Sequence, residues 1–239
     1  MRELDHHSDH NKAFSGINGK QPIIFCDFDG TITETDNIVS IMEHFNPPGW
    51  QEIAMDILHL RMSIREGVGR LFGLLPSSKK REILDFVLAN ARIRNGFADL
   101  LDFCREHGIR FYVASGGIDF FVYPLLAPFQ IETEQIFCNG SDFSGESIEI
   151  VWLHPCDEYC DNGCGMCKSK ILRSYPGDRY YRIVIGDSVT DFEAAKLADL
   201  VFARSRLVER CREMGHPFVA FNDFHDIVEH LSKKVVTLP

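Results

Sequence analysis

The sequence predicts an α/β fold in which helices cover both faces of a largely parallel sheet. Short apolar runs rich in β-branched and aromatic residues recur along the chain, and helical patterns separate most of them. Apolar strands that alternate with helices are typical of a parallel sheet buried on both faces, so we expect a Rossmann-like core. The predicted strands are PIIFC (22–26), RFYVA (110–114), QIFC (135–138), YRIVI (181–185), LVF (200–202) and PFVAF (217–221).

The length of the chain favours one main domain with an insertion, because 239 residues exceed the usual ~150 per domain. Residues 36–95 are helical in character and contain no convincing strand, which predicts a helical cap inserted into the core. Residues 21–35 and 96–239 then form the core, and the polar residues 1–20 are expected to be a flexible N-terminal arm. A second irregular stretch, 139–167, predicts a β-hairpin followed by a cysteine-containing loop.

Composition and charge exclude several classes of protein. Hydrophobic residues at 45% and charged residues at 25% are close to globular averages, which excludes a disordered or fibrous chain. The net charge of -10 repels phosphate backbones and anionic lipids, so neither a nucleic acid nor a membrane is expected as a partner. Residues 1–20 lack the apolar stretch of a secretory signal, so we expect a cytoplasmic location. The sequence leaves the oligomeric state open.

Acidic and polar residues follow several of the predicted strands. Asp27 and Asp29 come directly after the first strand, Ser115 opens a Ser-Gly-Gly stretch after the second, and Asp187 and Asp191 follow the fourth. The carboxyl ends of parallel strands lie at one edge of the sheet, where open α/β folds bind ligands, so we expect these groups to converge. Taken singly, each has a plain structural explanation as a turn residue or a helix cap.

Taken together, the four carboxylates, Ser115 and Lys168 indicate chemistry on a phosphate group. Clustered acids repel each other unless a cation lies among them, and Mg²⁺ prefers a few carboxylates completed by water and phosphate oxygens. The sequence therefore predicts Mg²⁺-dependent phosphoryl transfer on a small phosphorylated molecule.

The same residues resemble the four motifs of the haloacid dehalogenase-like hydrolases, in the expected order. DFDGT (27–31) is similar to the first motif, Ser115 to the second, Lys168 to the third and GDSVTD (186–191) to the fourth. The resemblance spans the chain from about 22 to 230. It implies a phosphatase whose helical insertion is similar to the cap of the phosphoserine phosphatase group.

The resemblance also implies a role for each residue of the site. Asp27 is the implied nucleophile, which forms an aspartyl-phosphate, and Asp29 is the implied general acid and base. Mg²⁺ is implied to bind Asp27, the backbone carbonyl of Asp29, and Asp187, with Asp191 in support. The implied phosphate-binding residues are Thr31, Ser115, Gly116 and Lys168.

Longer stretches resemble a narrower group of this family, which acts on an enolised methylthio-keto sugar phosphate in methionine salvage. Asp36 lies near the position at which phosphoserine phosphatases carry a substrate-selecting glutamate, so it is the candidate residue for substrate selection. The stretches that carry the narrower resemblance are DNIVSIM (36–42), EGVGRLFGLLPSS (66–78), ASGGIDFFVYPLL (114–126) and IGDSVTDFEAAKLADLVFAR (185–204).

Alternative functions stay open at this point. Within the family they are phosphatases of phosphocholine and phosphoethanolamine, whose cysteine-then-lysine arrangement is similar, and phosphatases of phosphoserine. Val68 stands near the position of a cap arginine of the phosphoserine enzymes, which argues against phosphoserine unless Arg61, Arg65 or Arg70 substitutes through a shifted cap. Outside the enzymes, the alternatives are a phosphate-binding protein without turnover and a zinc-dependent interaction module. The intact set of acids, Ser115 and Lys168 argues against a non-catalytic protein.

Four of the eight cysteines form the pattern CxxxCxxxCxxC, directly before Lys168. Disulfides are disfavoured in a reducing cytoplasm, so these cysteines are either ligands of a tetrahedral Zn²⁺ or free thiols in a packed loop. A metal at this place would fix the position of Lys168, which is the next residue. The four are Cys156, Cys160, Cys164 and Cys167.

Overall fold

The computed structural model describes residues 19–236. The predicted N-terminal arm, 1–20, falls on residues outside this range except for its last two. Lys20 lies at the start of the sheet and its Nζ pairs with Asp199 at 3.1 Å. Among the described residues, no helix is long and apolar enough to cross a membrane.

The described residues form one sheet of seven strands in the order β4-β3-β2-β1-β5-β6-β7. All neighbouring strands are parallel except β3 and β4, which form an antiparallel hairpin. The predicted α/β fold with a Rossmann-like sheet is confirmed. The strands are β1 (Gln21–Cys26), β2 (Arg110–Ile118), β3 (Ile136–Asp142), β4 (Glu149–Val151), β5 (Tyr180–Gly186), β6 (Leu200–Ala203) and β7 (Val219–Ala220).

The central strand β1 is buried on both faces, as its uninterrupted apolar sequence predicts. Ile24 and Cys26 belong to the main apolar cluster, whereas Ile23 and Phe25 belong to a second cluster on the opposite face. Side chains of a strand alternate between the two faces, so this division places helices on each side of the sheet.

Ten α-helices connect and cover the strands within residues 19–236, and the first four lie within the predicted helical insertion. The main apolar cluster of the core continues into this insertion, where the ring of Phe72 lies 6.1 Å from the ring of Phe120, which belongs to the core. Shared burial therefore anchors the insertion to the sheet. The helices are α1 (Asn37–Phe45), α2 (Trp50–Leu58), α3 (Ile64–Gly73), α4 (Lys80–Asn90), α5 (Phe97–Glu106), α6 (Asp119–Leu126), α7 (Lys168–Arg173), α8 (Phe192–Ala195), α9 (Ser205–Glu213) and α10 (Phe224–Val236).

The second strand is longer than predicted. The sequence predicts that it ends at Ala114, but β2 continues to Ile118, so the Ser-Gly-Gly stretch lies inside the strand. Glycine is depleted in strands, and this is why the pattern suggests an earlier end. The pairing of β2 with β3 shifts register between Ala114 and Ile118, and Asn139 Nδ2 donates to the carbonyl of Gly116 at 2.8 Å. Tertiary contacts to β3 therefore hold the glycines in an extended conformation.

The predicted hairpin at 139–167 is confirmed. Gly140 of β3 pairs with Val151 of β4, and the Asp142 carboxylate accepts the backbone N–H of Ser144 at 2.8 Å in the turn. The cysteine loop follows β4 and ends where α7 begins at Lys168.

Candidate active site

Three of the predicted site residues lie at the carboxyl ends of neighbouring strands. Asp27 follows β1, and its backbone N–H donates to the carbonyl of Ile185 in β5 at 2.9 Å. Asp187 follows β5, and Ser115 lies in the second half of β2. Because β1 lies between β2 and β5, segments far apart in the sequence meet at one edge of the sheet.

The chain after Asp27 forms an irregular helical turn over Phe28–Ile32. Gly30 has a φ of 79°, and a Cβ at this position would lie 2.5 Å from Asp187 Oδ2. Glycine is needed here both for the left-handed backbone and for the close approach of the carboxylate. Thr31 Oγ1 donates to Asp187 Oδ1 at 3.2 Å. The turn therefore places the first acidic motif directly against Asp187.

Lys168 joins two of the carboxylates. Its Nζ donates to Asp27 Oδ1 at 2.5 Å and to Asp191 Oδ1. The second oxygen of Asp191 accepts the backbone N–H groups of Asp187 and Ser188 at 3.2 and 3.0 Å. The Lys168 side chain is only 10% exposed, so its ion pairs are shielded from water. Asp27, Asp187 and Asp191 each offer a carboxylate oxygen, and these oxygens lie within 4.8 Å of one another.

Burial and repulsion between the acids shift the pKa values in this cluster. Burial raises the pKa of Asp27 well above its usual range, Asp191 adds to this, and Lys168 opposes it. Burial and Asp191 also raise the pKa of Asp187 to about 6. Burial lowers the pKa of Lys168, but Asp191 and Asp27 outweigh it and raise that pKa. One lysine does not neutralise three acids, so a further cation would stabilise their ionised forms.

Asp29 is held by the first residue of α1. The backbone N–H and the side-chain Nδ2 of Asn37 donate to Asp29 Oδ1 at 3.0 and 2.7 Å. A Cβ at Gly117 would lie 2.7 Å from Asp29 Oδ2 and 2.9 Å from Ser115 Oγ, so these two oxygens are near each other. Burial raises the pKa of Asp29 to about 7, with repulsion from Asp36 in support and the hydrogen bonds from Asn37 in opposition. Asp29 is therefore suited to exchange a proton near neutral pH.

Residues 24–196 match the family model described as haloacid dehalogenase-like hydrolase. The chain belongs to the haloacid dehalogenase-like hydrolase family. This confirms the resemblance that the acidic motifs carry, and it confirms the prediction of a hydrolytic enzyme.

Relatives with similar sequences extend over most of this hydrolase. The 2-hydroxy-3-keto-5-methylthiopentenyl-1-phosphate phosphatase of Geobacillus kaustophilus is 54% identical over 217 residues, which are 91% of this chain and 98% of the relative. The phosphatase of the same name from Brevibacillus brevis is 52% identical over 214 residues, 90% of this chain and 96% of the relative. These names confirm the prediction of a phosphatase and the narrower resemblance found in the sequence.

A solved structure of a phosphoserine phosphatase, described as a phospho-aspartyl intermediate analogue, shares the fold of this hydrolase. The TM-score is 0.66 at 17% identity, and the match covers 88% of this chain and 99% of the other. At this identity the similarity concerns the fold alone.

Ser115 and Gly116 of the hydrolase make their contacts within the sheet. Ser115 is fully buried, and its Oγ accepts the backbone N–H of Gly117 at 2.8 Å. The carbonyl of Gly116 accepts a hydrogen bond from Asn139 Nδ2. Ser115 Oγ lies near Asp29 Oδ2, and the phosphate-binding roles of Ser115 and Gly116 stay predictions.

Asp36, the candidate for substrate selection, caps α1. Its Oδ1 accepts the backbone N–H of Val39 at 3.0 Å, as an N-cap side chain does. The residue is exposed and directly precedes Asn37, which contacts Asp29. A selective contact with a substrate stays a prediction, since the observed contact has a structural role.

The four clustered cysteines of the hydrolase come together in space. Their sulfur atoms lie within 4.8 Å of one another, and Cys160 Sγ and Cys164 Sγ are 3.8 Å apart. Burial raises the pKa of Cys164, and the neighbouring Cys156 and Cys160 add to this. Burial also raises the pKa of Cys167 to about 11. Thiols packed this closely do not all ionise without a cation among them.

Two residues of the site were missed by the sequence reasoning. Asn37, which holds Asp29, lies in a stretch that carries the family resemblance, and that resemblance is the one signal that pointed to it. Arg94 is 8% exposed, and it donates from Nε to the carbonyl of Thr31 at 2.8 Å and from Nη2 to that of Gly30 at 3.0 Å. It supports the turn that carries the first acidic motif, and no sequence pattern marks it, because its partners are backbone carbonyls.

Proposed function

We propose that this hydrolase acts on 2-hydroxy-3-keto-5-methylthiopentenyl-1-phosphate, releasing phosphate and the dihydroxy-keto-methylthiopentene. The observation that carries the proposal is identity above 50% with phosphatases of that name over nine-tenths of the chain. The grouping of Asp27, Asp187, Asp191 and Lys168 supports it, because phosphoryl transfer depends on positioned charges. The proposed setting is methionine salvage in the cytoplasm.

Mg²⁺ is the proposed cofactor at the carboxylate cluster, and the donor set fits it. Three carboxylates offer oxygens within 4.8 Å, and their repulsion is not balanced by one lysine. Asp27, Asp187 and the backbone carbonyl of Asp29 would hold the ion, with Asp191 in support through Lys168. When bound, Mg²⁺ supplies positive charge that stabilises the phosphoryl oxygens. A second metal, Zn²⁺, is proposed for the cysteine loop, in a structural role.

Asp27 is the proposed nucleophile of the first half-reaction. Its carboxylate oxygen forms a bond to phosphorus as the bond from phosphorus to the substrate oxygen breaks, which gives an aspartyl-phosphate. Asp29 donates a proton to the leaving oxygen. Its pKa of about 7 leaves a large fraction protonated at neutral pH. Because Oδ1 accepts two hydrogen bonds from Asn37, Oδ2 is the oxygen that carries this proton.

The second half-reaction returns Asp27 to its starting form. Asp29, now ionised, takes a proton from water, whose oxygen forms a bond to phosphorus as the bond to Asp27 breaks. Phosphate leaves, and Asp29 holds a proton again. One residue serves in both directions because its pKa of about 7 makes both the protonated and the ionised form accessible near neutral pH.

The remaining phosphate contacts are proposed for four residues around Asp27. Of the four, Lys168 is best supported in this role, because its charged Nζ already contacts the carboxylate of Asp27. Thr31 contacts Asp187, and Ser115 lies near Asp29. The proposed phosphate-binding set is Thr31, Ser115, Gly116 and Lys168.

The proposed cap comprises residues 36–95, and the proposed catalytic core comprises 21–35 and 96–239. The first cap helix begins at the site itself, since Asn37 of α1 donates to Asp29. A movement of the cap would therefore act directly on the general acid. Asp36, next to Asn37, is proposed to take part in substrate selection.

The decisive experiment is a side-by-side assay of phosphate release with Mg²⁺. The substrates are the methylthiopentenyl phosphate, phosphoserine, phosphocholine and phosphoethanolamine. We expect kcat/KM for the first to exceed the others by about a hundredfold, equivalent to roughly 2.7 kcal/mol of transition-state binding. Equal slow rates on all four would contradict the salvage assignment, and a preference for phosphocholine would move the protein to that group.

A further inference from the structure

We infer that a Zn²⁺ ion in the cysteine loop braces the cap helix α3 against Lys168, and so sets the geometry of both sides of the active site. The loop comprises residues 154–167. It lies between the hairpin strand β4 and helix α7, and it contacts the helical insertion as well as the core.

The positions of the sulfurs match a tetrahedral zinc site. Sulfurs at ~2.3 Å from zinc, at the corners of a tetrahedron, are about 3.8 Å apart. Cys160 Sγ and Cys164 Sγ are 3.8 Å apart, and all four sulfurs lie within 4.8 Å. The backbone N–H of Cys164 donates to Cys156 Sγ at 3.4 Å, which is a contact that favours a thiolate at that ligand.

One end of the loop is fixed to the catalytic lysine. Cys167 is fully buried, and its backbone N–H donates to the carbonyl of His154 at 2.8 Å. Its carbonyl accepts the N–H of Ile171 at 3.2 Å, in the first turn of α7. Lys168 follows Cys167 directly and contacts Asp27. A metal that fixes Cys167 therefore also fixes the origin of the lysine side chain.

The middle of the loop is fixed to the cap. The backbone N–H of Arg65, in the first turn of α3, donates to the carbonyl of Gly163 at 2.9 Å. Gly163 has a φ of 61°, and a Cβ there would lie 2.8 Å from Cβ of Ser63, the N-cap of α3. Gly165 packs against the ring of Trp152, where a Cβ would lie 2.6 Å from the ring. Both glycines lie between zinc ligands, so the ion would hold the segment that contacts the cap.

Besides the cysteines, the loop is held by separate local contacts, among them Lys170 Nζ to the carbonyl of Pro155 at 3.1 Å and the ion pair of Asp157 with Arg173. Its residues form neither helix nor strand, and loops of this kind open easily unless they are cross-linked. Zinc bound by four thiolates supplies such a cross-link and contributes directly to folding of the segment. Metal occupancy therefore controls the contact of Arg65 with Gly163 and the position of Lys168 together.

The test begins with the metal content of the protein, purified without added metal and with its thiols reduced. We expect about one zinc per chain in the wild type and in Cys211→Ala, whose buried cysteine lies in α9, outside the cluster. We expect no zinc in the double variant Cys160→Ser/Cys164→Ser. Iron in place of zinc, or a metal-free wild type, would overturn the inference.

Hydrogen exchange then tests the brace itself. Loss of zinc should accelerate exchange of the Arg65 amide and of its neighbours in the first turn of α3, while amides of β1 stay protected. Unchanged exchange at Arg65 after loss of zinc would contradict the brace. If the double variant does not fold, the wild type treated with a zinc-selective chelator is measured in the same way.

Activity gives a third readout, which rests on the proposed function. With Mg²⁺ in excess, kcat/KM of the zinc-free protein should fall by about 10- to 100-fold, since the lysine loses its fixed position. If the wild type releases no phosphate from any substrate, the proposed function fails, but zinc content and exchange still decide the brace. Full activity of zinc-free protein would overturn the link to Lys168.

Discussion

The carboxylate cluster and the cysteine loop each bring together acidic side chains that repel one another when ionised. They differ in which parts of the chain supply these side chains. Asp27, Asp187 and Asp191 come from two strand ends far apart in the sequence, and Lys168 already pairs with two of them. The four cysteines come from twelve consecutive residues in an irregular loop, and no lysine or arginine side chain donates a hydrogen bond to their sulfurs within the described residues. The first cluster is held in place by the fold, whereas the second is, by our proposal, held in place by a bound zinc ion.

This difference separates the expected consequences of substitution. Changes in the carboxylate cluster should alter chemistry while the fold persists, because the sheet positions the residues. Changes in the cysteine loop should alter local order first and chemistry only through Lys168. Each of the following variants tests one side of that distinction.

The largest effect is expected for Asp27→Asn. The amide has nearly the shape of the carboxylate but is a poor nucleophile, so kcat should fall by at least about a thousandfold. The melting temperature should be equal to or above that of the wild type, because one of three repelling acids is removed. The exposed Asp178→Asn is the matched control, with unchanged kcat. Normal turnover by the folded Asp27→Asn protein would contradict the mechanism.

The next effect concerns the turn that presents the first acidic motif. Gly30→Ala places a Cβ at 2.5 Å from the Asp187 carboxylate and also forces alanine to a φ of 79°, so it should cost about 2–4 kcal/mol of unfolding free energy. Gly49→Ala is the control. Its φ is 87°, but nothing lies within 4 Å of its Cβ, so only the backbone cost of about 1 kcal/mol is expected. If urea unfolding gave equal losses of unfolding free energy for the two variants, the Asp187 carboxylate could move away from residue 30 without cost.

A smaller effect is expected for Asn37→Ala, which removes one hydrogen bond to Asp29. We expect kcat/KM to fall about tenfold, or ~1.4 kcal/mol. Because hydrogen bonds from Asn37 lower the pKa of Asp29, loss of the one donated by Nδ2 raises it. The first half-reaction needs protonated Asp29, so the decline of kcat/KM at high pH should move to higher pH. A pH profile that moves to lower pH, or not at all, would argue against Asp29 as the acid.

The smallest effect is expected on the outer side of the cysteine loop. Arg173 donates to Asp157, and the two side chains are partly buried, at 26% and 19% exposed. Water still reaches this pair, so we expect it to contribute less than about 1 kcal/mol. Arg173→Gln should shift the melting temperature by less than about 2 °C and leave kcat unchanged. Arg81→Gln, in a more exposed pair with Asp85, serves as the control and should show no shift. A large loss of activity would mean that side-chain contacts, and not the thiols, hold the loop.

The sequence predicted the strands that are buried on both faces, because a continuous apolar run has no polar side that could face water. It failed at the end of β2, where Ser115 to Gly117 have the composition of a turn but are held in the strand by pairing with β3. It also missed Asn37 and Arg94. Neither belongs to a local pattern, since the partners of Arg94 lie more than 60 residues away and Asn37 acts across a turn.

By itself, the sequence determined the type of fold, the order of the acidic motifs and the family, since these depend on local periodicity and on fixed spacings. Only the tertiary structure decided that Lys168 lies between Asp27 and Asp191, and that Asn37 holds Asp29. It also decided that the four sulfurs gather beside the cap. The physical reason is that burial, repulsion and hydrogen bonding depend on distances between segments far apart in the sequence. These distances are set when the strands assemble into the sheet, and not by neighbouring residues.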